Sequence, residues 1–136
     1  MKSVFFYGLF MDEDLLKAKG LHPSETTPAY VAGYGLRIGE RATLVRSAQA
    51  RAYGTVMQLC EDELELLYGD ESVADYVPVD ITATDFNGRT LSVVSYLLPA
   101  EKLTGRNREY AKSLAVIASK VGLPAEYVGE IKTWII

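Results

Sequence analysis

The sequence predicts an α+β protein: a small mixed β-barrel with short flanking helices and a helical C-terminal tail. Strand-like segments fill the middle of the chain, and the glycines inside them indicate the bulges and bends of a strongly curved sheet. Two alternating apolar runs flank Asn87-Gly88, a pair typical of tight hairpin turns with positive backbone dihedrals. Apolar residues recur at helical spacing from Tyr110 to Val121. Curved strands with few helices favour a barrel over a doubly wound parallel sheet.

The first part of the chain begins with a buried strand over Ser3–Tyr7 (SVFFY). Asp12 is placed to cap a short helix over Glu13–Ala18, and Gly20 is placed to end it. Further strands are expected at Ala29–Gly39, Ala42–Val45 and Ala50–Leu59. The glycines of GYGLRIG fall inside a strand pattern and open no helix, so they do not indicate a dinucleotide-binding loop.

The second part of the chain begins with an acidic helix over Glu61–Ser72, which the hairpin follows. The helix that contains Tyr110 and Val121 is expected to end at Gly122 and Pro124. A last short helix runs over about Ala125–Trp134.

Length, charge and composition exclude several classes of protein. A chain of 136 residues is most simply one domain, residues 1–136, and its net charge of -4 argues against a nucleic-acid partner. Cys60 and His22 are single, which leaves no disulfide framework and no thiolate metal cluster. The apolar stretch Ser3–Met11 is too short to span a membrane, and acids follow it instead of a cleavage site. We therefore expect a soluble, unprocessed, cytoplasmic protein with no membrane partner; the sequence does not indicate its oligomeric state.

One acid of the acidic helix stands out by its spacing. Leu64, Leu67, Tyr68 and Glu71 lie at offsets 0, 3, 4 and 7, so a continuous helix would place Glu71 on the buried face. A carboxyl group held in apolar surroundings is a usual general acid/base. The alternative is that the helix ends at Gly69 and that Glu71 belongs to a solvated acidic cap. Periodicity alone does not decide between the two.

The segment Tyr7–Phe10 (YGLF) follows the first strand directly. A strand that ends before a capped helix leaves backbone amides without strand partners, and such amides can bind a carboxylate or a developing oxyanion. Gly8 would let a ligand approach the main chain closely. The alternative is a simple turn in which Leu9 and Phe10 pack into the core.

Several segments, in order, resemble the gamma-glutamylcyclotransferase-like family. FFYGLFM is similar to the Tyr-Gly-Ser/Thr-Leu loop that opens this family, and LLYGDESVADYVPVDI is similar to its Leu-Asp-x-x-Glu-Gly segment followed by Tyr-x-Arg-x-x-Val-x-Val. AGYGLRI and AYGTVMQL fall where the family has glycine-containing strands, VVSYLLP falls where it has a tyrosine-bearing strand, and GLPAEYV resembles a tail of some members. The resemblance covers nearly the whole chain.

The resemblance implies a reaction and the residues for it. Glu71 matches the catalytic glutamate, the loop Tyr7, Gly8, Leu9 and Phe10 matches the substrate-binding loop, and Tyr96 matches a tyrosine that lines the cavity. In the family, the α-amine of a small γ-glutamyl substrate attacks its own γ-carbonyl, which releases 5-oxoproline and an amine, amino acid or peptide. The glutamate takes a proton from the attacking amine and returns one to the leaving amine. No metal or organic cofactor is needed.

The sequence departs from the family pattern at several positions. Leu9 stands where the loop usually has Ser or Thr, and Phe10 stands where it has Leu. Tyr68, Ser72 and Pro78 replace residues that are often Asp, Gly and Arg in the family. Because Leu9 removes a hydroxyl that could orient a substrate, a second interpretation stays open: a non-catalytic module that binds a small carboxylate on the same fold.

Overall fold

The computed structural model describes residues 1–135, and these residues form five strands and four short helices. The strands are β1 (Lys2–Phe6), β2 (Ser24–Ile38), β3 (Ala42–Leu59), β4 (Val77–Asp85) and β5 (Thr90–Leu97). The helices are α1 (Glu13–Ala18), α2 (Glu61–Tyr68), α3 (Arg108–Lys120) and α4 (Ala125–Lys132). Single 3-10 helical turns lie at Leu9–Met11, Glu71–Val73 and Ala100–Lys102.

The strands form a closed barrel in the order β1-β3-β2-β4-β5, which confirms the predicted α+β barrel. Neighbouring strands are antiparallel except β1 and β5, which close the barrel as a parallel pair with Val4 opposite Val94. Buried residues from β1, β3 and α3 meet in the core; the largest of them are Phe5, Met57, Leu59 and Leu114. None of the helices described over residues 1–135 is long and apolar enough to cross a membrane.

Strands β2 and β3 are longer than the sequence indicates, because β2 begins at Ser24 and β3 runs without a break from Ala42 to Leu59. The glycines accommodate the curvature instead of interrupting the strands. Gly33 has a φ of 84° at a register shift between β2 and β3. A side chain at Gly54 would collide with the carbonyl of Phe6, so this glycine allows β1 to approach β3.

The β4–β5 hairpin forms at the predicted place but with a different turn. Within the described residues Gly88 has a positive φ and Asn87 does not, so the expectation that both residues adopt positive dihedrals is wrong. The Asp85 carboxylate accepts hydrogen bonds from the amides of Asn87 and Arg89, both at 2.9 Å. This side-chain cap holds a longer turn, in which one glycine suffices.

Two connections place the segment after β1 where the site forms. The α1 helix has the predicted bounds, and Asp12 caps it by accepting a hydrogen bond from the Asp14 amide at 3.1 Å. Lys120 at the end of α3 donates to both of these carboxylates at 2.9–3.1 Å. Helix α3 also packs against the Leu9–Met11 turn. The end of β1 is therefore held between the barrel and α3.

Candidate active site

A cavity of about 290 Å³ opens beside the end of β1. Its walls are the segment Tyr7–Phe10, a group of tyrosines and the residues Ser72 and Val73, and the charged residues that border it are Lys19 and Arg41. Among residues 1–135, no Asp or Glu side chain lines it. The volume lies near the lower end of the range for small-molecule sites. The cavity thus suits a small ligand that carries negative charge.

The loop Tyr7–Phe10 presents backbone groups to this cavity. The carbonyls of Gly8 and Leu9 are occupied, because they accept hydrogen bonds from the amides of Met11 and Asp12 at 3.0 and 3.2 Å. Over the described part of the chain, none of the amides of Gly8, Leu9 and Phe10 donates to a backbone carbonyl. Such amides can donate hydrogen bonds to a carboxylate or an oxyanion.

Position 8 requires a glycine because another group lies close to it, and not because of its backbone angles. Its φ of -107° and ψ of -153° are accessible to any residue. A Cβ atom here would lie 2.5 Å from the Tyr110 hydroxyl, closer than real Cβ contacts allow. The sequence predicts that Gly8 lets a ligand approach the main chain, and this stays a prediction. In the structure a side chain of α3, Tyr110, lies close to this glycine. Tyr110 therefore places a hydroxyl directly at the loop.

Tyrosines form one continuous wall of the cavity. The rings of Tyr68 and Tyr96 stack with their centroids 3.9 Å apart and an angle of 11° between planes. Phe10 meets the Tyr68 ring edge-on at 6.0 Å, which joins the wall to the loop. The Tyr7 hydroxyl donates to the carbonyl oxygen of Tyr96 at 2.7 Å, and the Tyr76 hydroxyl donates to a carbonyl of β3 at 2.6 Å.

Burial keeps the phenols of this wall neutral. It is the main cause that raises the pKa values of five tyrosines above the ordinary value: Tyr7, Tyr68, Tyr76, Tyr96 and Tyr110. At Tyr110 a hydrogen bond from the Leu9 amide to the phenol oxygen acts in the opposite direction but is the smaller effect. These hydroxyls can orient a ligand by hydrogen bonding, and none is suited to take a proton near neutral pH.

Arg41 is the last residue of the turn between β2 and β3, and its side chain lines the cavity. Its Nη1 donates to the Ser72 carbonyl oxygen at 3.2 Å, and its Nη2 lies 3.4 Å from the Asp75 carboxylate. The guanidinium also sits 5.8 Å from the centre of the Tyr76 ring. Lys19, the second cation, follows α1 and is exposed at the cavity mouth. Arg41 thereby connects the cavity to the segment that contains Glu71.

The structure contradicts the expected orientation of Glu71. Helix α2 ends at Tyr68, and Asp70 adopts an extended conformation in which its carboxylate accepts hydrogen bonds from the amide and hydroxyl of Ser72. The helical register is lost between Tyr68 and Glu71, so Glu71 does not continue the buried face of α2. Its side chain is exposed and does not line the cavity, although the next residue, Ser72, does. The alternative of a helix that ends at Gly69 was the better prediction.

The other candidate residues do come together. Tyr7, Gly8, Leu9, Phe10 and Tyr96 all line this one cavity, and their roles toward a substrate stay predictions. Sequence reasoning missed further lining residues, among them Lys19, Arg41, Tyr76 and Tyr110. Tyr76 lies in the quoted Tyr-x-Arg-like segment and could have been selected from it. Tyr110 has the spacing of a core residue, and Arg41 carries no local signal.

Comparison with known proteins identifies relatives of this chain. The family model described as gamma-glutamyl cyclotransferase, AIG2-like, matches residues 4–114. No curated protein matches the chain in sequence. A solved gamma-glutamyl cyclotransferase is similar in fold, with a TM-score of 0.76 and 19% identity over 96% of this chain and 86% of that one.

Two further solved structures share the fold. YkqA from Bacillus subtilis has a TM-score of 0.78 at 20% identity, over 98% of this chain and 54% of that one. A yeast gamma-glutamyl cyclotransferase specific to glutathione has a TM-score of 0.67 at 14% identity, over 98% of this chain and 95% of that one. At these identities the similarity establishes the fold.

Proposed function

Because the chain belongs to the AIG2-like gamma-glutamyl cyclotransferase family, we propose that it cleaves a γ-glutamyl amide by internal cyclisation. The products are 5-oxoproline and the released amine, amino acid or peptide. The observation that carries this proposal is the cavity: neutral hydroxyls, loop amides without a backbone acceptor and two cations surround a space the size of a small ligand.

The reaction needs no water and no second substrate. The α-nitrogen forms a bond to the γ-carbon, the carbonyl oxygen gains negative charge, and the bond from the γ-carbon to the leaving nitrogen then breaks. The proton lost by the attacking amine ends on the leaving amine, so atoms and charge balance. Holding both reacting groups in one bent molecule supplies much of the rate.

The loop supplies the groups for the developing oxyanion. Gly8, Leu9 and Phe10 line the cavity, and none of their amides has a backbone acceptor within the described residues. The Leu9 amide donates to the Tyr110 phenol oxygen, so the amides of Gly8 and Phe10 are the donors open to a ligand. Main-chain donors do not depend on the side chain at position 9, so the Leu in place of Ser or Thr leaves them intact. The Tyr110 hydroxyl stands beside the same loop and adds a side-chain donor there. Fixed donors of this kind stabilise a tetrahedral intermediate.

Glu71 is the proposed acid/base, and the proposal requires its side chain to turn toward the cavity. Two neighbouring carboxylates are engaged: Asp70 holds Ser72, and Asp75 pairs with Arg41. In the part of the chain that the structure describes, the Glu71 carboxylate makes no ion pair or side-chain hydrogen bond, so nothing holds it outside. Glu71 begins the short turn Glu71–Val73, and the other two residues of this turn, Ser72 and Val73, line the cavity.

A second function is favoured by the same lining. Because no carboxylate borders the cavity within residues 1–135, the site as it stands can hold a small anionic ligand without a base beside it. This is the arrangement expected of a module that binds a small carboxylate and does not convert it.

A screen of γ-glutamyl compounds separates the two functions. Release of 5-oxoproline is measured by chromatography, and binding of each compound is measured in parallel by calorimetry. Turnover of at least one compound by the purified protein supports cyclisation. Binding of one or more compounds with no 5-oxoproline above the protein-free rate identifies a binding module and overturns the enzymatic proposal.

A further inference from the structure

Arg41 is a cation in the cavity wall whose present contacts are weak. Its distances of 3.2 Å to the Ser72 carbonyl and 3.4 Å to Asp75 are long for hydrogen bonds to a guanidinium. Asp75 is about half exposed and also lies 3.6 Å from Lys102, so it is shared between two cations. The Arg41 side chain is only 33% exposed. A ligand carboxylate in the cavity would find a partly desolvated guanidinium with donors to spare.

The two cations of the cavity differ in what they can recognise. Lys19 is an exposed point charge. Hydrogen bonds from Ser72 are the main cause of the lowered pKa of Asp70, and the charge of Lys19 adds a smaller effect. Arg41 is packed beside the Tyr76 ring and presents a planar fork, which matches a carboxylate in a bidentate geometry. Arg41 is therefore the residue equipped to discriminate between a carboxylate and an uncharged group of the same size.

We propose that Arg41 is a specificity-determining residue that binds a carboxylate on the released part of the substrate. This inference rests on the proposed function and names its substrate class: γ-glutamyl amino acids or peptides, in preference to γ-glutamyl derivatives of uncharged amines. Every γ-glutamyl substrate has the α-carboxylate on the reacting glutamyl group. The described lining of the cavity contains two cations and no carboxylate, so its positive charge can match a second carboxylate on the substrate.

The test compares γ-glutamyl-alanine with γ-glutamyl-alaninamide, which differ only in the second carboxylate. Dissociation constants are measured by calorimetry and KM values by 5-oxoproline release. The protein should prefer the acid by about tenfold or more, the scale of a charge-assisted, bidentate contact. In Arg41→Gln this preference should disappear because the affinity for the acid falls to that for the amide. Arg41→Lys should retain part of it.

Two control variants separate recognition from folding. Arg46→Gln removes an arginine of β3 that packs over Tyr34, away from the cavity lining, and should keep the preference. Asp75→Asn removes a partner of Arg41 but leaves the guanidinium in place, and should also keep it. If Arg41→Gln does not fold, Arg41→Lys and Asp75→Asn carry the comparison: the preference falls in the first and persists in the second.

The outcomes distinguish this inference from the proposed function. Equal affinity of the unmodified protein for the acid and the amide overturns the role of Arg41, even if both release 5-oxoproline. Equal weakening of both ligands by Arg41→Gln also overturns it, because the residue would then bind the shared α-carboxylate. A preference for the acid that depends on Arg41, without any 5-oxoproline, supports the inference and overturns the enzymatic function.

Discussion

Replacing Gly8 by Ala tests the contact that shapes the binding loop. The new Cβ atom would lie 2.5 Å from the Tyr110 hydroxyl, which must retreat by about 1 Å to reach ordinary contact, and overpacking of this kind costs roughly 1–3 kcal/mol. Tyr110 cannot retreat easily, because its ring packs partly buried against the core and its backbone is held in the first turn of α3, where the Asn107 side chain accepts a hydrogen bond from its amide at 2.9 Å. We therefore expect Gly8→Ala to lower the free energy of unfolding by about 2 kcal/mol, or the melting temperature by roughly 5–10 °C.

A double-mutant cycle isolates this contact. Tyr110→Phe removes the hydroxyl that collides, so Gly8→Ala should cost about 1–2 kcal/mol less in the Tyr110→Phe background than alone. Unfolding is followed in urea by circular dichroism for the four proteins of the cycle. Gly129→Ala is the matched control: its Cβ would meet nothing within 4 Å in α4, and alanine should stabilise that helix by up to about 1 kcal/mol. Additive effects at Gly8 and Tyr110, within about 0.5 kcal/mol, would refute the proposed contact.

Two further predictions concern the barrel. The buried Thr43 hydroxyl donates to the Leu98 carbonyl at 2.6 Å and accepts from the Leu98 amide at 2.9 Å. Thr43→Val should therefore lower the free energy of unfolding in urea by about 1–3 kcal/mol, and Thr43→Ser should lower it less. Equal losses of stability in the two variants would contradict the role of the hydroxyl. Hydrogen bonds from the Arg89 and Asn87 amides lower the pKa of Asp85. The stabilisation from this carboxylate is complete above its unfolded pKa of about 4 and is lost as the pH falls through the lower folded pKa. Asp85→Asn should flatten the fall of the melting temperature below pH 4, and an unchanged acid profile would argue against the cap.

Local sequence signals were sufficient for much of the fold. The α1 helix has its predicted bounds because Asp12 and Gly20 are chemical signals that act within a few residues. The strand-like segments and the glycines inside them also predicted a curved barrel, because both signals can be read from residues that are close in sequence. The continuity of β3 was missed because its middle section forms half of a two-stranded arm with β2. In this section exposed residues do not alternate with buried ones, so the sequence shows no strand pattern there.

The candidate site was predicted less completely, because it depends on contacts between distant segments. The loop Tyr7–Phe10 was selected as a candidate binding segment, because the end of a strand next to a glycine can be recognised in the sequence. Arg41 reaches the site only because the turn after β2 lies beside Ser72 and Asp75. The orientation of Glu71 was wrong because a helical periodicity was extended past the Gly-Asp pair that ends the helix.

The loss of turnover in Glu71→Gln is the most direct measurement of the central claim, that this cavity carries out acid/base cyclisation. It is made on the γ-glutamyl compound that the screen identifies, by following 5-oxoproline release. The amide is nearly the same size as the carboxylate, so affinity should be kept while kcat falls by roughly a hundredfold or more. Asp70→Asn and Glu65→Gln, which remove the neighbouring charges, should change kcat by only a few fold. Full turnover in Glu71→Gln, or equal losses in all three variants, would contradict the mechanism.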